Sequence, residues 1–561
     1  MRGNGSVTWI AGMGLLGLSL CAPGLAAAQQ TRAEAEKDPV FKAMLEELDR
    51  SMSQLQLKGF EKPFFIQYRI EDVDDFSTRA EFGAGEGSDR VHQRVARVTV
   101  RVGDYKTDSS GGRGDGSLVL TGLDDDPIAI RSALWDATDR AYKSALVAYA
   151  QKQAALKEVQ TPPQADDFSH EKPVVSLGAP ASLQLDQASW ANRVAQASGI
   201  YRTDAAAKTA AQEIEYSTAE FHARASTTWL VTSEGTMVRK AQAIYRESVA
   251  VGAQAADGMR LDRSYASTAG SLKGLDSPQT MAQHTAALIA SIEDLRKAPL
   301  VQEEYHGPVL FSSDAADDMV HSLLGTAVTA TRPPLGAEAR TMGPFASSYQ
   351  TRVLPEFMDV VDDPGLKSYA GIALVGAYDV DDEGVPAQAV KLVADGRLEN
   401  YLVGREPVKD FPQSNGHGRA GVAGPARPWM SVMKVWATNG LSDDELNHKL
   451  LDLAKDNGLQ NVYYVETSLG PRTPRLLYRV GLDGKRELVR GAELDDIDER
   501  ALRSGIVAAG KDLLATNYFG DVPTTVLAPA LLLDDVTVRR ANQKNEKLPF
   551  YPPPAGAGGT E

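Results

Sequence analysis

One cysteine stands in 561 residues, and its position removes most ways of stapling a chain of this length. Cys21 lies in an opening stretch where Arg2 is followed by an apolar run from Val7 to Leu20, helix-breaking Pro23-Gly24 and the small residues Ala26-Ala27-Ala28. That order reads as a secretory leader over 1–28 with cleavage near Gln29, the small residues serving the signal peptidase. The apolar run is shorter than the roughly 20 residues a membrane span requires, and Leu20 is too bulky for the usual lipoprotein signal. The expectation is a periplasmic or secreted chain without a membrane span. Once the leader is removed no cysteine remains, so disulfides, thiolate metal ligands and a cysteine nucleophile are excluded. The fold must rest on burial and hydrogen bonding alone.

The composition allows that. With 43% hydrophobic and 24% charged residues the chain is ordinary globular material, long enough for two or three domains. Lys plus Arg total 59 against 75 Asp plus Glu, a formal charge of −16. An acidic chain without a basic block lacks the clustered cations that nucleic acid demands.

Local signals predict an α+β protein. Asp38-Pro39 and Asp126-Pro127 each place an N-cap before a proline at the first helical position. Val40, Met44, Leu48, Met52 and Leu55 recur at helical spacing behind the first, and the second opens a long helix through about residue 159. "RVTVRVGDY" alternates Val98, Val100 and Val102 with Arg97, Thr99 and Arg101, a half-buried strand with one wet face. "TPPQADDFSHEKP" (161–173) reads as a loop, Ser233–Thr236 as a hairpin turn, and the stretch ending near Pro299 as a helix. Beyond 300, strands and turns dominate, including a hairpin at Asp395-Gly396, with one helix marked by the Ser442–Glu445 capping box and Gly458. No internal repeat is visible. The organisation expected is a mixed helix/sheet half, with α+β regions at 29–160 and 161–300, a strand-rich C-terminal domain at 301–545, and a disordered tail at 546–561.

The stretch Asp379–Gly384, "DVDDEG", imitates the start of a calcium loop. An EF-hand loop needs a bidentate Glu at its twelfth position, which here is Val390, so the acidic cluster calls for another explanation.

Several blocks together resemble the TldD/PmbA family: "DDPGL" (362–366), "YDVDDEGVPAQAVKLVADGRLENYLVGREPV" (378–408), "SNGHGRAGVAGPARPWMS" (414–431) and "APALLLDDVTV" (528–538), with "SEGT" (233–236) and "GPVLFSSDAA" (307–316) upstream. The resemblance implies a zinc peptidase or its partner subunit. Active TldD-type subunits carry His-Glu-x-x-x-His on the helix after the "PVLF" strand and a cysteine ligand near the C-terminus. Here His321 stands alone, followed by Ser322 and, four residues on, by Gly325. PmbA-type subunits also lack the motif. The resemblance therefore implies no metal in this chain, with zinc expected in a TldD-like partner and a peptide or unfolded polypeptide as substrate.

Six residues are candidates for substrate binding: Asp381, Asp382 and Glu383 in the acidic turn, and Asn415, His417 and Arg419 in "SNGHGR". Packed carboxylates can organise a cleft, and glycines free the backbone for close approach to another chain. Against these stand a tight acidic turn and an ordinary polar surface loop. No G-x-S-x-G elbow and no phosphate-binding glycine loop appears. The expected role is the metal-less, PmbA-like subunit of a peptide-processing assembly. An autonomous peptidase with a non-standard site, or a non-enzymatic peptide-binding homo-oligomer such as a homodimer, remains open.

Overall fold

A computed structural model describes residues 32–111, 116–204, 207, 213–542, 545–549, 551, 553 and 554. The expected leader and most of the expected disordered tail lie outside them. Among the described residues no helix is long and apolar enough to cross a membrane.

The first half is one seven-stranded sheet with helices on a single face. Helix α1 (Pro39–Gln54) begins where Asp38 accepts N–H bonds from Val40 and Phe41, a cap worth about 1 kcal/mol. Strands β1 (Pro63–Glu81) and β2 (Ala84–Val102) form a long antiparallel hairpin, followed by β3 (Ser117–Thr121) and α2 (Pro127–Glu158). After β4 (Val175–Leu177) and α3 (Gln187–Ser198) comes a second long hairpin, β5 (Ile214–Thr232) and β6 (Met237–Gln254), then β7 (Arg260–Ala269) and α4 (Pro278–Lys297). The strand order is β3-β2-β1-β5-β6, with β4 and β7 both on β6. Helix, three antiparallel strands and helix thus occur twice, joined by the β1–β5 pairing. The sequence shows no repeat because topology, not side-chain identity, recurs. One sheet spans residues 63–269, so position 160 lies within this layer.

Strand periodicity sorts the two faces of the sheet. Ile66, Tyr68, Ile70, Val98, Val100 and Val102 pack with Trp229 and Val231 under α1 and α2. Phe76, Phe221, Val249 and Val251 pack under α3 and α4, with Trp190 stacked on Phe221 at 3.7 Å. The opposite face carries Arg69, Glu71, Arg97, Arg101, Arg224, Lys240 and Gln242. The alternation in "RVTVRVGDY" correctly marks a strand, but its second face is not wet: Arg101 is 8% exposed and pairs with Glu406, and Arg97 donates to the Ala423 carbonyl. Loops from the second half cover it.

That half holds an eleven-stranded sheet. Its strands are β8 (Tyr305–Phe311), β9 (Met358–Asp362), β12 (Val390–Ala394), β13 (Arg397–Leu398), β16 (Val432–Ala437), β17 (Asn461–Leu469), β18 (Thr473–Gly481), β19 (Arg486–Val489), β20 (Ala492–Asp495), β21 (Ile506–Tyr518) and β22 (Thr524–Arg540). Two short ribbons sit apart, β10 (Ser368–Tyr369) with β11 (Ile372–Ala373) and β14 (Gly418–Arg419) with β15 (Arg427–Pro428). The order is β13-β12-β9-β16-β22-β8-β17-β18-β19, and β20 and β21 also pair with β22. Helix α5 (Ser313–Met319) packs Ala315, Ala316 and Met319 on one side of this sheet. Helix α6 (Asp443–Asp456), started by the Ser442 capping box, packs Leu446, Leu450 and Ala454 on the other. The architecture is the α+β arrangement expected, with a strand-rich C-terminal half.

Candidate functional site

The acidic turn and the glycine-rich loop, 30 residues apart in sequence, meet across the helix-free face of the first sheet. Gly384 takes a left-handed conformation, φ 83°, which closes the turn. Asp381 is fully buried, and its carboxylate accepts from the N–H groups of Glu383 (2.9 Å), Val385 (2.8 Å) and Gly418 (2.9 Å). Burial and the adjacent Glu383 raise its pKa, opposed by those N–H groups. Glu383 accepts from the Arg405 N–H at 2.6 Å. A Cβ on Gly404 would come within 2.7 Å of the Glu383 Oε2, and one on Gly418 would collide with it outright. The glycines therefore free the backbone for close approach to this chain's own carboxylate.

His417 is also fully buried, with Nε2 3.1 Å from Asp362 and Nδ1 3.0 Å from the Asn415 carbonyl. Asn415 donates to the Tyr401 carbonyl at 2.8 Å and accepts from the Val403 N–H at 2.8 Å. Asp381, Glu383, Asn415 and His417 are thus engaged within the fold. Asp382 and Arg419 differ, because both reach a cleft of about 390 Å³ between the two halves.

Lys240 of β6 and Tyr378 complete the centre of that cleft. Asp382 pairs with Lys240 at 2.7 Å and accepts the Ala420 N–H at 2.8 Å. Burial pushes its pKa up, but Lys240, Arg419 and Arg69 outweigh burial, and the net shift is downward. Arg419 lies over the Tyr378 ring, 4.3 Å from its centroid, and donates to the Pro523 carbonyl at 3.2 Å. Glu71 closes one end with a pKa raised by burial, and Ser226, Thr228 and Gln242 add neutral hydrogen-bonding groups. Alternating carboxylates, cations, hydroxyls and an aromatic face suit an extended polar ligand; no nucleophile–base pair stands among them. The sequence reading missed Lys240, Glu71 and Tyr378. For Glu71 and Lys240 the only signal was a polar strand face, which periodicity alone assigns to solvent, while Tyr378 opens the block at 378–408.

The helix after β8 is the other place to look for chemistry. It passes from α5 into a π-helical turn at Val320–Leu324, an arrangement frequent at functional sites. His321 stacks on Tyr518 at 3.9 Å and lies 3.3 Å from the Thr524 hydroxyl; burial lowers its pKa. Tyr518 Oη is 2.6 Å from Asp317 and 3.1 Å from Asp318. Asp317, held well above the usual carboxylate range chiefly by burial, accepts from the Tyr518 hydroxyl. A Cβ at Gly325 would stand 2.7 Å from the Met430 sulfur, so any side chain there would have to displace that thioether. Among the described residues no three His, Cys, Asp or Glu side chains converge as metal ligands. This donor set does not fit a catalytic zinc, which takes three such ligands.

Fold and helix together define a two-part α+β protein. Residues 303–540 match the family described as the PmbA/TldA metallopeptidase C-terminal domain. A curated relative, a metalloprotease of Archaeoglobus fulgidus, is 29% identical over 171 residues, 30% of this chain and 35% of the relative. The match thus spans about a third of that relative's length. Among solved structures, a proposed modulator of a DNA gyrase from Thermotoga maritima aligns with TM-score 0.59 and 14% identity, covering 88% of this chain and 100% of that one. TldE from Thermococcus kodakarensis aligns with TM-score 0.59 and 11% identity, covering 88% and 99%. At such identities the likeness is one of fold. Residues 303–540 are thus similar to the C-terminal domain of the TldD/PmbA family.

Proposed function

We propose that this chain is the metal-less, PmbA-like subunit of an exported peptide-processing assembly, shaping a peptide groove while a TldD-like partner supplies the zinc. The single observation that carries the reading is Met430 against Gly325. Where the family's second imidazole would stand there is Gly325, with the Met430 thioether packed against it, whereas Asp382, Lys240 and Arg419 line a polar cleft. Asp382, Lys240 and Arg419 would hold the main-chain and charged groups of an extended peptide, with Tyr378 as an apolar platform. Export rests on the sequence of the first 28 residues.

The test is co-expression with a signal-bearing relative that retains His-Glu-x-x-x-His. A stable complex that cleaves unfolded polypeptide, with activity lost when either chain is omitted, is the expected result. Stoichiometric zinc and peptide cleavage by this chain alone would overturn the proposal in favour of an autonomous peptidase. Peptide binding by a homo-oligomer that captures no partner would point to the non-enzymatic reading.

A further inference from the structure

The helix-free face of the first sheet holds a second, smaller cavity of about 50 Å³, walled by Gln67, Arg69, Arg97 and Arg101 of the β1–β2 hairpin and by Glu383 and Glu406. The strand register sets Arg69 directly opposite Arg97, and like charges facing each other across strands repel. Arg101 projects from the same face, opposite Phe65. Arg69 is 1% exposed and donates to the Gly424 carbonyl; Arg101 is 8% exposed and pairs with Asp108 and Glu406. Even so, the Nε–H groups of Arg69 and Arg101 are buried and find no acceptor among the described residues. Buried donors are ordinarily satisfied, and a guanidinium fork matches the paired oxygens of a carboxylate or phosphate. The volume exceeds the roughly 10–15 Å³ that a single water needs.

We propose that this cavity binds a small oxyanion, a carboxylate or a phosphate, held by Arg69, Arg97 and Arg101. The bound anion would separate the facing guanidiniums and tie the hairpin to the loop at 425–427. This inference stands apart from the peptide reading, since it needs neither a partner subunit nor catalysis.

Thermal unfolding of the full chain tests it, in millimolar phosphate or acetate against chloride of equal ionic strength. Parallel samples carry a short peptide with a free C-terminal carboxylate or its amide. We expect phosphate or the carboxylate probes to raise the Tm by about 2 °C or more, an effect largely lost in Arg97→Gln and Gln67→Glu. The second variant preserves side-chain size while adding a negative charge, so it decides the matter if the first fails to fold. A shift with phosphate alone identifies an inorganic or ester phosphate; a shift with the free-acid peptide but not its amide identifies a chain terminus. No shift with any probe, or equal shifts in the wild type and Gln67→Glu, overturns the proposal.

Discussion

The two faces of the seven-stranded sheet are buried by different physics. On the helix-covered face, Val98, Val100, Val102, Phe76 and Phe221 are packed by elements near in sequence, and water is excluded by apolar area. On the other face, Arg69, Glu71, Arg101 and Lys240 are covered by loops 140 to 355 residues away, for example through the Glu71 contact to the Ala423 N–H. The first face is bound by hydrophobic contact and depends on close packing. The second depends on each polar group finding its own partner, where a half-satisfied network is costly. Among the described residues of this sheet, Glu71, Arg224, Arg239 and Lys240 border the cleft.

Substitutions should separate these two modes. Phe221→Ala, which removes a ring stacked under Trp190, should cost about 3–5 kcal/mol in denaturant unfolding. Asp381→Ala leaves the N–H groups of Glu383, Val385 and Gly418 unsatisfied and should cost about 3 kcal/mol, with the cleft disordered as read by hydrogen exchange at 378–385. If Asp381→Ala unfolds no more easily than wild type, the polar face is not held as described. Gly418→Ala forces Glu383 aside and should cost about 1–3 kcal/mol.

The acid at Asp317 gives a pH signature. A carboxyl whose folded pKa is raised binds more protons in the native than in the unfolded chain. Its contribution is therefore complete below the ordinary value of 3.8 and is lost as pH rises through the folded value. Asp317→Asn should flatten that dependence, measured by unfolding across pH, while keeping an acceptor for the Tyr518 hydroxyl. The smallest effect is expected for Lys240→Ala, under about 1 kcal/mol in stability because the side chain is partly exposed, but with clearly weakened peptide binding in titration calorimetry.

What the sequence made legible divides along the same line. The capped helices at Asp38, Asp126 and Ser442, the Asp395-Gly396 hairpin and the apolar alternation in β2 are all local signals, and they produced the elements expected. The candidate residues were found through the blocks resembling TldD/PmbA, yet their division of labour was hidden. Asp381 and Asp382 are adjacent in sequence, but one is spent on three backbone donors and the other reaches the cleft. Only contacts with Gly418 and Lys240, both distant along the chain, separate their roles. The charged face of β2 misled for a related reason, since periodicity reports that a face is polar and not what covers it.

Strand β22 has a kinetic consequence. Along one edge it pairs with Val432–Ala437 and then Tyr305–Phe311, and along the other with β21 and then β20. Until residues 524–540 leave the ribosome, those four strands lack their common neighbour, and the second sheet cannot close. Nascent chains halted before 524 should therefore show a protease-resistant first sheet attached to a C-terminal half that is still readily digested.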